Sequence, residues 1–270
     1  MLPLGVSLDF HLDGYFDQLK EAEKLGFYSV DVNLCGLWHK PDEEREKYAL
    51  LEERIGGVKN TALVLNAVHI SFGPNWNPSE LDKAKREENC ARILDVIKRA
   101  DVFKPRCYLL HGGFGPFDPD RKTRLDIMKE SVLAIAKQTN TVICLETQPR
   151  RGGLSSSAEA CEVYDWFEER TDNVRVCIDV NHILEETSEE AVLRLGKRIF
   201  TTHISDHDYI DERHWLPGKG KIDWMKLLAS FEEIGYSGIF NYETTDGSLT
   251  DIKQNYEAMF GWYNQIRIKK

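Results

Sequence analysis

The feature that most restricts this chain is a regular alternation of two kinds of segment. Short apolar, β-branched runs occupy residues 4–8, 29–34, 63–71, 106–111, 141–146, 174–179, 199–205 and 238–243. Stretches of helical periodicity follow them, at 15–25, 43–54, 79–101, 122–137, 157–170, 188–196, 223–233 and 251–266. Gly26, Gly56-Gly57 and Gly235 read as helix stops, and Ser157 and Ser188 with their following acids read as helix starts. Strands joined through helices must run parallel. Eight such units of about 34 residues each predict an α/β fold, a single (β/α)8 barrel. No G-x-G-x-x-G turn follows the first run and no P-loop occurs, so an open nucleotide-binding sheet lacks its usual mark. No linker-like stretch divides the chain, and one domain over residues 1–270 is expected.

Composition narrows the function classes. A hydrophobic share of 41% in 270 residues is enough for a large core. No apolar run approaches the roughly 18 residues of a membrane helix. The N-terminus has no basic leader before its first strand-like run, so a cytoplasmic protein is expected. With 35 Lys+Arg against 45 Asp+Glu, the net charge of −10 disfavours nucleic acid and anionic membranes as partners. The six cysteines form no C-x-x-C pair. Cys107, Cys144 and Cys177 lie inside strand-like runs and read as small buried hydrophobes of a reducing compartment.

The residues that carry chemistry sit at or beside the ends of the apolar runs. His69, His111, Glu146, Asp179, His203 and Glu243 come from runs three to eight in turn, each about one βα unit after the last, and His182 lies three residues past Asp179. In a (β/α)8 barrel those ends converge on one face, where active sites are built. Carboxylates brought together there would repel one another, and a divalent cation removes that cost. Imidazoles and carboxylates on rigid strand ends suit such an ion. Histidines protonate near pH 6 when unperturbed, so metal affinity is expected to fall there.

These residues also carry a resemblance. Cys144-Leu-Glu146-Thr-Gln-Pro149, Cys177-Ile-Asp179-Val-Asn-His182, Thr202-His203-Ile-Ser-Asp206 and Tyr242-Glu243-Thr244 resemble the xylose-isomerase-like TIM-barrel superfamily over essentially the whole chain. That group includes sugar isomerases and epimerases and the repair enzyme endonuclease IV. The resemblance implies one Mn, Mg, Co or Zn ion on Glu146, Asp179, His203 and Glu243, with Glu146 and Glu243 as the proton-transfer groups of a sugar isomerase or epimerase working through an enediolate. His182, Arg213 and Trp215 are the implied substrate contacts. Where ketose 3-epimerases carry a substrate-binding Arg, this chain has Tyr209, and Arg213 is the nearest arginine. Trp38, Phe72, Phe114 and Trp215 are candidates to wall the pocket.

The resemblance to endonuclease IV implies more ions. His69 and His111 match the histidines of its first zinc site, and His182 and His214 match those of its third, with Glu212 in place of an Asp. The count therefore stays open between one and three, and the alternative activity is a zinc phosphodiesterase acting on abasic DNA. The leading expectation is a small sugar-like substrate; assembly into a homo-oligomer stays open.

Overall fold

The computed structural model describes residues 1–9, 14–34 and 44–268. All eight apolar runs are strands: β1 (Leu4–Asp9), β2 (Ser29–Asn33), β3 (Val64–His69), β4 (Cys107–His111), β5 (Val142–Glu146), β6 (Val174–Asp179), β7 (Ile199–Ile204) and β8 (Phe240–Tyr242). They pair in parallel in chain order, and β1 pairs with β8 to close the barrel. The helices α1 (Tyr15–Lys24), α2 (Glu44–Val58), α3 (Lys83–Ala100), α4 (Arg121–Ala136), α5 (Ser157–Glu168), α6 (Ser188–Leu195), α7 (Trp224–Glu233) and α8 (Leu249–Ile268) alternate with them. Among the described residues, no helix is long and apolar enough to cross a membrane.

Element ends differ from the sequence expectation where a distant contact or a cap decides them. α2 runs through Gly56-Gly57 instead of stopping before them. A Cβ on Gly57 would stand 2.3 Å from the Phe16 ring, and one on Gly56 would stand 3.1 Å from Phe103. These glycines therefore admit aromatic rings against the helix backbone. α3 starts at Lys83 because Asp82 caps it, accepting from the Lys85 amide at 3.0 Å. The preceding Ser79 is tied into a turn instead, donating through its amide and hydroxyl to Asn77 Oδ1. A capping box between Thr187 and Glu190 closes the start of α6.

The barrel interior is layered. Ala67, Cys107, Leu109, Cys144 and Cys177 form a small apolar cluster, with all three cysteines fully buried. Burial pushes the Cys144 and Cys177 thiols up, which keeps them protonated and unreactive. Cys35, like Trp38, lies outside the described residues. A second buried set is polar: Ser29, Asp31, Asn66, Thr201, Thr202 and Asn241. It is stitched by Asp31 Oδ1, which accepts from Asn66 Nδ2 at 2.7 Å and from the Ala67 amide at 3.1 Å.

Strand register then fixes the height of each site residue. Asn33 pairs with His69, His111 with Glu146, and Asp179 with His203. Paired residues on parallel strands point to the same face of the sheet. The stagger of a closed barrel thus brings residues from six strands to one rim.

The close approach at Gly57 makes a prediction. Gly57→Ala should cost about 1–3 kcal/mol, because the new methyl must displace the Phe16 ring. Gly261→Ala, in α8 with no atom within 4 Å of its added methyl, should be neutral or stabilise by up to about 1 kcal/mol. Denaturant melts of both variants check this; equal effects would contradict it.

Candidate metal centre

Glu146 lies at the centre of the rim and is fully buried. Its Oε2 stands 2.9 Å from His111 Nε2 and 3.2 Å from His69 Nε2. Its Oε1 stands 3.0 Å from His203 Nδ1. Glu243 approaches the same His203 nitrogen at 2.8 Å. Asp179 Oδ2 lies 3.2 Å from His182 Nδ1, and His182 Nε2 lies 3.0 Å from Glu212 Oε2. Ligand-type atoms of Glu146, Asp179, His203 and Glu243 all fall within 4.8 Å of one another; so do those of His69, Glu146 and His203, and those of Asp179, His182 and His214. The structure thus brings together all nine residues that the sequence singled out as ligand types.

The donor set fits a divalent ion on two independent grounds. Glu146 Oε2 and Asp179 Oδ2 are buried and make no hydrogen bond, although imidazole nitrogens stand nearby. A buried carboxylate oxygen without a donor is costly unless a cation takes that place. Second, two of the imidazoles are held from behind. His69 Nδ1 is 2.9 Å from the Ile70 carbonyl and His182 Nδ1 is 2.8 Å from the Thr147 carbonyl. A bond to a carbonyl requires the proton on Nδ1. In neutral His69 that turns the Nε2 lone pair toward Glu146, an arrangement that invites a metal between them.

His203 is turned the other way. Its Nδ1 faces the carboxylates, and its Nε2 faces Asp31 Oδ2 at 3.5 Å. Both of those atoms are buried without a hydrogen-bond partner. Asp31 thus stands behind His203 as its counter-charge, held in place by the polar layer.

The charges of the metal-free cluster follow from these contacts. Burial opposes ionisation of Glu146, but His203 and His111 outweigh it and hold the carboxyl well below the usual range. Burial likewise opposes ionisation of Glu243, and His203 lowers it to about 2. Asp179 is raised to about 6 by burial, partly offset by His182. For His182 burial acts downward, but Asp179 and Glu212 raise it to about 10. His203 is raised well above its ordinary value against burial, chiefly by Glu243. His111 is lowered by burial, with Glu146 opposing.

The loop after β7 completes the site. Asp206, the last residue of the His-x-x-Asp pattern, is fully buried. It accepts from the amides of His207, Gly218 and Ile222 and from Trp224 Nε1, and so anchors the loop. Asn181 Oδ1 accepts from the amides of Arg213 and His214. This turns His214 into the cavity. Arg213 is drawn off by Asp208, 2.9 Å from its Nε, and packs over Trp215. Neither Arg213 nor Trp215 is among the residues lining the cavity, in contrast to the substrate contacts the resemblance implied.

The cavity holds about 940 Å3 and is walled by the rim and by Phe72 and Phe114, both part-exposed. Phe72 stacks on His111 with centroids 4.7 Å apart. Sequence reasoning missed the contributions of the first two strands. Asp9 and Asn33 line the cavity, and Asn33 Nδ2 donates to Glu243 Oε1 at 3.3 Å. The signal was present in Val30-Asp31-Val32-Asn33, where polar residues alternate with valines and so share the inner face.

Comparison with known proteins follows the same lines. A family model described as a xylose isomerase-like TIM barrel matches residues 19–266. The uncharacterized protein MJ1311 of Methanocaldococcus jannaschii is 24% identical over 192 residues, which cover 65% of this chain and 63% of that protein. A probable endonuclease 4 of Mycoplasmoides gallisepticum is 29% identical over 165 residues, 54% of each chain. The chain therefore spans less than two thirds of the length of these relatives. Among solved structures, the D-psicose 3-epimerase of Clostridium cellulolyticum H10, determined with D-tagatose, superposes with a TM-score of 0.75 at 17% identity, covering 98% of this chain and 99% of that one.

Two outcomes are expected of the cluster. Asp31→Asn should weaken divalent-ion affinity by about 10–100-fold without removing any direct ligand. Titration calorimetry with Mn2+ checks this, and unchanged affinity would contradict it. An ion needs neutral imidazoles, whereas His182 with its pKa of about 10 and His203 are protonated at pH 7.5 in the metal-free protein. Metal uptake at that pH should release protons, and affinity should keep rising from pH 6 to pH 9 instead of levelling off above pH 6. Binding heats that do not vary with the buffer's ionisation enthalpy would contradict the release.

Proposed function

The chain belongs to the xylose isomerase-like TIM-barrel family, and on that footing we propose that it is a divalent-metal-dependent isomerase or epimerase of a sugar or related polyhydroxy carbonyl compound. One observation carries the reading. Glu146 and Glu243 both approach one nitrogen of His203, at 3.0 and 2.8 Å, and both line a cavity of small-molecule size. The likeness of fold to a D-psicose 3-epimerase supports it.

Glu146, Asp179, His203 and Glu243 would hold the ion. Bound there, a divalent ion supplies Lewis acidity to adjacent carbonyl and hydroxyl oxygens. Glu243 is held ionised by His203 and keeps 18% of its side chain exposed to the cavity, so it has the charge and the access of a general base at neutral pH. It removes the proton from the carbon beside the carbonyl and gives it up to water in the cavity, and Glu146, itself ionised in the free site, takes a proton from that water and returns it to the carbon. Asn33, donating to Glu243 Oε1, steadies that carboxylate. His182 and His214 line the cavity; the nitrogens of His182 are engaged by the Thr147 carbonyl and Glu212, so it meets substrate through that pair, and His214 is the imidazole that meets substrate hydroxyls. Phe72 and Phe114 reduce the access of water at the mouth.

A second reading is favoured by a specific observation. His69 and His111 on Glu146, and His182, Glu212 and His214 beside Asp179, form two further groupings around the first. Those are the residues a three-zinc phosphodiesterase would use. The net charge of −10 and the acidic lining of the cavity weigh against a duplex-binding surface.

Solvent exchange separates the two. In D2O, candidate ketoses should gain deuterium at the carbon beside the carbonyl, and Glu243→Gln should suppress this labelling far more than it weakens sugar binding. Cleavage of abasic duplex DNA that falls steeply with salt, with no exchange across a broad sugar panel, would replace the first reading by the second.

A further inference from the structure

We propose that the substrate carries an anionic group, a phosphate or a carboxylate, and that Arg151 binds it. This rests on the sugar-active reading above and narrows its substrate class. Asp9, Glu21, Glu146, Glu212 and Glu243 give the cavity its negative charge, and besides the His182 imidazolium, which Asp179 and Glu212 pair, the cationic side chains among the described lining residues are Arg150 and Arg151. Arg150 is committed. Its Nη1 donates to the Ile210 carbonyl at 3.1 Å, and its Nη2 donates to the Tyr209 and Leu184 carbonyls at 3.1 and 3.5 Å. The Arg151 side chain is exposed at the cavity wall and has no hydrogen bond or ion pair among the described residues.

The backbone beneath Arg151 gives this weight. Arg151 has φ of 73° and is the third residue of a turn closed by the Gly152 amide on the Pro149 carbonyl at 3.0 Å. Glycine is the residue such a position favours. Glycine does occupy the next two positions, where packing leaves no alternative. A Cβ on Gly152 would meet Gln148 Cβ at 2.7 Å, and one on Gly153 would meet the Phe117 ring at 2.6 Å. At 151 the chain instead keeps a long cation in a conformation that costs it stability.

The turn is also rigidly held. The Arg151 carbonyl accepts from the Phe117 amide at 2.8 Å. Arg121 Nη2 donates to the Gly152 carbonyl at 3.0 Å and to Ser155 Oγ at 2.9 Å, while its Nε is paired with Glu159. An uncommitted guanidinium on a fixed support matches phosphate and carboxylate oxygens in two-pronged geometry. In a chain of net charge −10, an anionic ligand needs such a local cation.

The test is equilibrium binding to the Mn2+-loaded full chain, with D-ribulose against D-ribulose 5-phosphate and D-fructose against D-fructuronate. The anionic member of a pair should bind about tenfold or more tightly than the neutral one. Which pair shows the larger gain distinguishes phosphate from carboxylate. Arg151→Gly removes the guanidinium and suits the positive φ, so its melting temperature should stay level or rise. In that variant the anionic advantage should collapse while neutral ketoses bind as before, and Arg151→Lys should keep part of it. Equal binding of neutral and anionic sugars, or an advantage that survives Arg151→Gly, would overturn the inference and leave the sugar-active reading standing. Failure of every ketose to bind would overturn that reading and this inference with it.

Discussion

Everything at the rim depends on the buried carboxylate of Glu146. One of its oxygens faces His69 and His111, and the other faces His203. It is almost fully buried, and Oε2 has no hydrogen bond. An isolated carboxylate in that place would lose most of its hydration and gain nothing. It is tolerable only because three strands aim imidazoles at it, and those imidazoles are themselves fixed. The Ile70 carbonyl holds His69, and Asp31 stands behind His203. Asp31 in turn is held by Asn66 and the Ala67 amide, deep in the barrel. The polar layer inside the barrel is therefore the foundation of the site, and the apolar cysteine cluster near it keeps the foundation dry.

The fold was legible because strand and helix alternate so regularly that only the barrel closes eight parallel units. The ligand-type residues were legible because Glu146 and Asp179 end apolar runs and His203 sits near the end of one, where a charged side chain has no structural reason to be. Other features depend on contacts that the local sequence does not encode. Gly56-Gly57 reads as a stop but serves as a seat for Phe103 and Phe16, which are distant in the chain. Arg213 reads as a substrate contact, yet Asp208 captures it, and only the folded loop decides between them. The backing role of Asp31 needs the pairing of β2 with β3 before it can be seen. The pH response shifts for a similar reason: His182 carries its ordinary value only until Asp179 and Glu212 are brought beside it.

The two chemical readings share one architecture. A four-residue set of Glu146, Asp179, His203 and Glu243 suits proton transfer at a carbon beside a carbonyl. The additional histidines around it suit a larger ion cluster. What separates the readings is the surroundings. The cavity has small-molecule dimensions, aromatic walls at Phe72 and Phe114, an acidic lining and Arg151 as an uncommitted cation. A duplex-binding surface needs several cations spread along its face; one uncommitted cation at the wall of an acidic cavity suits a small anionic ligand better.

The central claim is that Glu146 is the shared carboxylate on which metal binding depends. Equilibrium dialysis against Mn2+ and Zn2+, with metal analysis of the dialysed protein, tests it directly when the parent chain is set beside Glu146→Gln. The account predicts at least one tightly held ion per parent chain and loss of that binding in Glu146→Gln, with the fold retained by circular dichroism. Unchanged metal content and affinity in a folded Glu146→Gln chain would contradict it.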